Sequence, residues 1–185
     1  RQMCIRDRPG ADVLVVWDFF SRALRDNWGT ATESLRWVHV CAAGVDSLLF
    51  GELADSDIVV TNAHGVFDQP IAEFVLASIL ARDKQLHTSA RLQAAHEWVW
   101  RETTRTAGSS VLVIGTGGIG RAIARLLRAV GMRVTGAGRR VRDDDPDFGE
   151  VRATDDLVEY VGEFDNVVVV APLTPETDGM IDASA

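Results

Sequence analysis

Val111-Leu112-Val113-Ile114-Gly115-Thr116-Gly117-Gly118-Ile119-Gly120 decides how this chain is read. Four apolar residues in a row, with a turn signal behind them, predict a buried strand. Three glycines follow at the spacing G-x-G-x-x-G, and Ile119 to Val130 carries a helical pattern. Strand, glycine turn and helix in that order give each glycine a separate task. Gly115 permits a tight turn off the strand, Gly117 leaves room for a pyrophosphate to approach the backbone, and Gly120 lets the helix pack closely on the sheet. The free N–H groups at the helix start, aided by the helix dipole, then form an anion site. A glycine-rich turn without a ligand is the alternative; the flanking strand and helix favour a dinucleotide site.

The next strand addresses which dinucleotide. It begins at Met132 to Thr135 and ends Gly136-Ala137-Gly138-Arg139-Arg140. An acid at the end of this strand would accept a hydrogen bond from a ribose 2′-hydroxyl. Gly138 stands there instead, and no carboxylate follows before Asp143. Guanidinium groups pair with phosphate through parallel charge-assisted hydrogen bonds. Arg139 and Arg140 therefore predict a 2′-phosphate site, with NADP(H) preferred and NAD(H) possible. Two solvated arginines at a strand end are the alternative.

Similar apolar runs recur on both sides. Val13 to Trp17, Leu35 to Val40 and Ile58 to Val60 read as short strands, with helix-like or loop segments such as Ser47 to Leu53 between them. From Gln69 to about Ala95 the pattern is helical. Ile71, Phe74, Val75, Ser78 and Ile79 form one stripe, and Pro70 suits a first helical turn. Thr103 to Ser110 is polar and reads as a boundary. Arg142 to Gly149 is acidic, contains Pro146 and reads as a surface loop. Asp155 to Val161 predicts a short helix, and Val167 to Val170 a strand ended by Pro172. Strands alternating with helices imply a parallel sheet covered on both faces. The fold class is α/β: a doubly wound Rossmann sheet in the second half of the chain, with another α/β unit before it.

The chain has 185 residues, with 19 basic against 27 acidic, for a net charge of −8. An acidic chain without a basic block argues against nucleic acid and anionic membranes as partners. No apolar run reaches the length that spans a bilayer. Cys4 and Cys41 are unclustered, so neither a disulfide framework nor a metal site is expected, and a reducing cytoplasm is the default compartment. Arg1 to Arg8 lacks periodicity, and Met3 to Arg8 resembles a translated sequencing adapter. Residues 1–8 are therefore expected to be foreign to the fold.

Four segments, in order, resemble the D-isomer-specific 2-hydroxyacid dehydrogenases. Ala42-Ala43-Gly44-Val45-Asp46 is similar to that family's substrate loop. Val59 to Val66 followed by Pro70-Ile-Ala-Glu-Phe74 is similar to the stretch leading into its interdomain helix. Ile114 to Arg140 resembles its cofactor motif, and Ala171-Pro172-Leu-Thr-Pro-Glu-Thr177 a later loop. The resemblance covers Ala11 to Ala185. It implies a flavodoxin-like substrate domain with the interdomain helix over residues 9–100, and an NAD(P)-binding Rossmann domain over 101–185, both incomplete. It implies hydride transfer between NAD(P)H and a small 2-oxoacid such as glyoxylate or hydroxypyruvate. Backbone amides of Ala43 and Gly44 would hold the substrate carboxylate, with Ala43 also near the nicotinamide. Gly118 and Ile119 would contribute pyrophosphate amides, and Ala171 and Pro172 would line the nicotinamide-ribose side.

The family's catalytic Arg, Glu and His follow the loop matching Ala171 to Thr177. No catalytic residue is therefore expected within residues 1–185, and the chain alone is expected to be inactive. Among residues present, His39 reads as a structural histidine, His64 as a loop residue able to approach a cleft, and His87 and His96 as surface or junction residues. Glu73 reads as a structural hydrogen-bonding residue. Arg121, Arg125 and Arg128 share a helix face that reads as solvated. The long helix and its exit at Trp98 and Trp100 point to a homodimer. A dinucleotide-sensing corepressor of the same fold is the rival reading, and alanine-dehydrogenase-like or homocysteinase-like Rossmann proteins are a third; the substrate-loop and Pro-Leu-Thr matches weaken the third.

Overall fold

The computed structural model describes residues 10–29 and 32–182. The expectation for Arg1 to Arg8 thus lies outside the described residues. The chain divides into two compact units, one ending at Val66 and the other beginning at Phe67. The sequence reading ended its first domain at residue 100.

In the first unit, β1 (Val13–Val16), β2 (Trp37–Val40) and β3 (Val59–Asn62) form a parallel sheet in the order β1-β2-β3. Short helices α1 (Ala23–Asp26) and α2 (Gly51–Ala54) connect the strands. Side chains alternate across a strand, and one set is packed. Val38 and Val40 are buried with Leu24, Leu48 and Leu53, and Leu14, Val16 and Val60 pack against them. The other set, Val13, Val15, Trp37 and Val59, is exposed. This small sheet therefore has one covered face.

The second unit holds a five-stranded sheet in the order β6-β7-β5-β4-β8. Its central strands are β4 (Ser110–Ile114) and β5 (Arg133–Gly138), with β8 (Asn166–Val169) beside β4. These pairings are parallel, as is β5 with β7 (Gly149–Ala153). Here both faces are covered, as expected. Val111 and Val113 join Ala122, Ile123 and Leu127 of α5 (Gly118–Ala129) on one side. Leu112 and Ile114 pack on the other with Leu157 and Tyr160 of α6 (Leu157–Tyr160). The four apolar β4 side chains, Val111 to Ile114, are fully buried, each contributing about 1.5–3 kcal/mol.

Three expectations are corrected. The helix read over 69–95 is two helices, α3 (Asp68–Asp83) and α4 (Leu86–Ala94), separated by Gln85 in the left-handed region at φ 52°. The break is fixed from the segment that follows. Thr104 N–H donates to the Asp83 carbonyl at 3.0 Å, Thr106 Oγ1 donates to the buried Asp83 carboxylate at 2.9 Å, and Gln85 Nε2 donates to the Glu102 carbonyl at 2.8 Å. On α3, Ile71, Val75 and Ile79 face the core, but Phe74 is exposed. Finally, Arg142 to Gly149 is not a loop. It holds β6 (Arg142–Asp145), antiparallel to β7, and Asp145 and Phe148 are buried.

Candidate functional site

The site begins where β4 ends. Gly115 takes φ 110°, and a Cβ on it would lie 2.7 Å from the Ala171 nitrogen and 2.8 Å from the Val170 carbonyl carbon. Only glycine meets both demands. The glycine turn and the Ala171–Pro172 loop after β8 are thereby pressed together. A Cβ on Gly120 would collide with the Gly115 carbonyl oxygen. These two glycines are accounted for by backbone packing alone.

Gly117 and Gly118 are different in kind. A Cβ on Gly117 would meet nothing within 4 Å. Gly117 is the extended N-cap residue of α5, no side chain caps the helix, and the first helical bond runs from Arg121 N–H to the Gly117 carbonyl at 2.9 Å. Gly118, Ile119 and Gly120 thus present amides at an uncapped helix start. Beside Gly117 there is open space, so the arrangement fits an anion such as a pyrophosphate.

At the end of β5 the geometry adds a residue that the sequence reading missed. A Cβ on Gly138 would lie 3.1 Å from Thr116 Oγ1 and 3.4 Å from its Cγ2. Thr116, the first variable residue of the glycine motif, therefore shapes the space available at position 138. Nothing in the spacing marks it for that task. Arg139 and Arg140 are exposed. Neither forms an ion pair or side-chain hydrogen bond among the described residues, whereas Arg82, Arg121, Arg125, Arg142 and Arg152 are all paired with carboxylates. Arg139 lies near enough to Glu176 to help hold that carboxyl below its ordinary value, after the larger effect of a hydrogen bond from Thr174.

The helix face formed by Arg121, Arg125 and Arg128 is not simply solvated. Arg121 bonds Asp145 at 3.0 Å and Asp147 at 2.7 Å, Arg125 reaches Asp147 at 3.3 Å, and Arg128 donates to the Asp147 carbonyl at 2.8 Å. Burial opposes ionisation of Asp145. Hydrogen bonds from Arg121 and from the amides of Asp147 and Phe148 outweigh it and hold the carboxyl below its ordinary value. These bonds fasten the β6–β7 hairpin, just beyond Arg139 and Arg140, to the helix whose start faces the open space.

In the first unit, the loop after β2 carries Ala43 and Gly44. Asn62, at the end of β3, donates from Nδ2 to the Ala43 carbonyl at 2.6 Å, and Ala63 N–H donates to the Ala42 carbonyl at 2.9 Å. Asn62 is a second residue that sequence reasoning missed. A Cβ on Gly44 would lie 2.5 Å from Asp46 Oδ1, so that carboxylate leans on the loop. His39 Nδ1 shares a 2.9 Å hydrogen bond with Thr61 Oγ1. His64, His87 and His96 are exposed. Glu73 accepts a hydrogen bond from Gln69 Nε2 at 3.0 Å.

Residues 76–185 match the family described as D-isomer specific 2-hydroxyacid dehydrogenase, NAD binding domain. The chain belongs to this family. A glyoxylate reductase of Thermococcus kodakarensis is 29% identical over 193 residues, covering 98% of the chain and 56% of the relative. Among solved structures, a D-isomer specific 2-hydroxyacid dehydrogenase family protein of Aeromonas salmonicida superposes with a TM-score of 0.79 at 29% identity, covering 90% of this chain and 52% of that one. An NADPH-dependent glyoxylate/hydroxypyruvate reductase of Sinorhizobium meliloti, solved with NADP and sulfate, gives 0.70 at 30% identity, covering 93% and 52%. The chain spans about half the length of the relatives it matches. The family match runs through α5 and both ends of the glycine motif, so the open helix start belongs to an NAD-binding domain. Among the described residues, no helix is long and apolar enough to cross a membrane.

Proposed function

We propose that this chain is the dinucleotide-binding part of an NADPH-preferring reductase of small 2-oxoacids of the glyoxylate or hydroxypyruvate type. The observation that carries the reading is the uncapped α5 start beside open space at Gly117, with two exposed guanidiniums, Arg139 and Arg140, that form no ion pair among the described residues at the end of the neighbouring strand. Gly115, Gly117, Gly118, Ile119 and Gly120 form the pyrophosphate cradle. Arg139 and Arg140 meet the 2′-phosphate, and Ala171 and Pro172 line the nicotinamide-ribose side. In the first unit, amides of Ala43 and Gly44 hold the substrate carboxylate. When bound, the dinucleotide supplies the hydride. The residues of this chain bind and orient it. The names of the relatives, reductases and dehydrogenases, favour this reading over a corepressor.

We place the protein in the cytoplasm as a homodimer. In support, Trp98, Trp100 and Leu86 expose large apolar surfaces around α4, which a second copy would cover. Light scattering of the gene product carrying this chain would give twice the mass of one copy of that product, and Trp98→Ser with Trp100→Ser would halve it. The activity is tested on the same gene product, following NADPH oxidation with glyoxylate and hydroxypyruvate. Turnover with NADPH favoured over NADH is expected. Tight dinucleotide binding without turnover of any 2-oxoacid would move the reading to the sensing class.

A further inference from the structure

Asp68 is the first residue of α3, and its carboxylate lies against the first residue of α5. A Cβ built on Gly118 would be 2.6 Å from Asp68 Oδ2, 3.3 Å from its Cγ and 3.4 Å from Oδ1. Any other residue at 118 would push that side chain away. Asp68 is half-buried, and it forms no ion pair or hydrogen bond through its side chain among the described residues. Its position is favourable on electrostatic grounds. It belongs to the first turn of one helix and touches the start of another, and helix starts carry partial positive charge that favours an anion. The same charge at α5 is what a pyrophosphate would use.

We propose that the Asp68 carboxylate is a built-in competitor for the dinucleotide pyrophosphate at the start of α5, and that it limits how tightly both nicotinamide dinucleotides are held. This rests on the cofactor reading given above. A fixed anion beside the cradle raises the dissociation rate of oxidised and reduced cofactor alike. That suits an enzyme which must release one and bind the other in each cycle. The effect acts at the pyrophosphate, which NADH and NADPH share. It is therefore separate from any discrimination at Arg139 and Arg140.

The test is binding, not turnover. Dissociation constants of NADH, NADPH and adenosine 2′-monophosphate are measured by calorimetry for the 185-residue chain and for Asp68→Asn. The amide keeps the size of the side chain and removes its charge; Asp68→Ser serves if the amide disturbs the turn. Both dinucleotides should bind about three- to tenfold more tightly to the variant at low salt, by the same factor, and the gain should shrink as ionic strength rises. Adenosine 2′-monophosphate places no phosphate at α5, so its affinity should not change. Weaker or unchanged dinucleotide binding in both variants would overturn the proposal, weaker binding pointing instead to a carboxylate that holds a cofactor hydroxyl. An equal gain for adenosine 2′-monophosphate would overturn it too, as a general charge effect. Failure of the parent chain to bind either dinucleotide would remove the cofactor reading itself, a result distinct from failure of the Asp68 proposal.

Discussion

On the proposed reading, Gly138 and the arginines after it make opposite demands on the two forms of the cofactor. With no acceptor at 138, a ribose 2′-hydroxyl gains no hydrogen bond there. A 2′-phosphate can gain charge-assisted bonds from Arg139 and Arg140, neither of which forms an ion pair or side-chain hydrogen bond among the described residues. Such contacts are worth about 1.5–3 kcal/mol, or about ten- to a hundredfold in affinity. Arg139→Ala with Arg140→Ala should weaken NADPH by that factor at low salt and leave NADH nearly unchanged, as read from dissociation constants for the two. Equal binding of both by the parent chain, unaltered in the double variant, would mean that the arginines are only solvated surface. Gly138→Asp should shift preference towards NADH, but the structure adds a condition. The new Cβ sits 3.1 Å from Thr116 Oγ1, and crowding of this kind costs about 1–3 kcal/mol. Gly138→Asp should therefore lower the melting temperature, and Thr116→Ala added to it should restore most of the loss. A single variant that melts like the parent would show that Thr116 yields freely.

At the scale of elements, the hairpin and the arginine face show what spacing can and cannot reveal. β4 and α5 were legible because their periodicity is dictated by burial: Val111 to Ile114 feed both faces of the sheet, and α5 turns Ile123 and Leu127 onto one of them. Arg121, Arg125 and Arg128 look solvated on a helical wheel, and the acidic run at 142–149 looks like surface. Each segment holds the countercharge of the other. A pattern within one segment carries no sign of a partner more than twenty positions away. The break at Gln85 was hidden for the same reason, since it depends on hydrogen bonds between residues 83–85 and residues 102–106. Asp145 makes the consequence measurable. Its side chain is buried against Arg121 and Arg142, and Asp145→Asn should cost about 2–4 kcal/mol at neutral pH, allowing for the partial exposure of both arginines. The folded carboxyl lies below its ordinary value, so its stabilisation is complete above the unfolded pKa of about 3.9 and is lost as pH falls through the folded value. Melting curves of parent and variant should therefore stay apart above about pH 5 and converge below about pH 4. A constant gap across that range would show that the charge of Asp145 contributes nothing.

At the scale of the whole molecule, the two units were not equally legible. The second announced itself through one motif whose glycines have separate physical tasks. The first has three short strands and no such motif, and its reading depended on loops whose meaning came from resemblance. The chemistry within residues 10–182 divides in a similar way. The second unit supplies an uncapped helix start and two exposed guanidiniums, chemistry suited to holding a dinucleotide. Reducing a 2-oxoacid also requires a proton donor at the carbonyl oxygen. Of the histidines present, His39 is engaged with Thr61, and His87 and His96 are exposed on and beyond α4. Glu73 is bonded to Gln69 within its own helix. Binding and turnover should therefore separate. The purified 185-residue chain should bind NADPH, seen as quenching of tryptophan fluorescence, yet show no steady oxidation of NADPH with glyoxylate or hydroxypyruvate. Sustained oxidation would mean that an acid within these residues reaches the substrate. His64, in the loop after β3, is the first to test, because it is exposed and no described residue holds it. Loss of that activity in His64→Gln, with NADPH binding intact, would assign the proton to it.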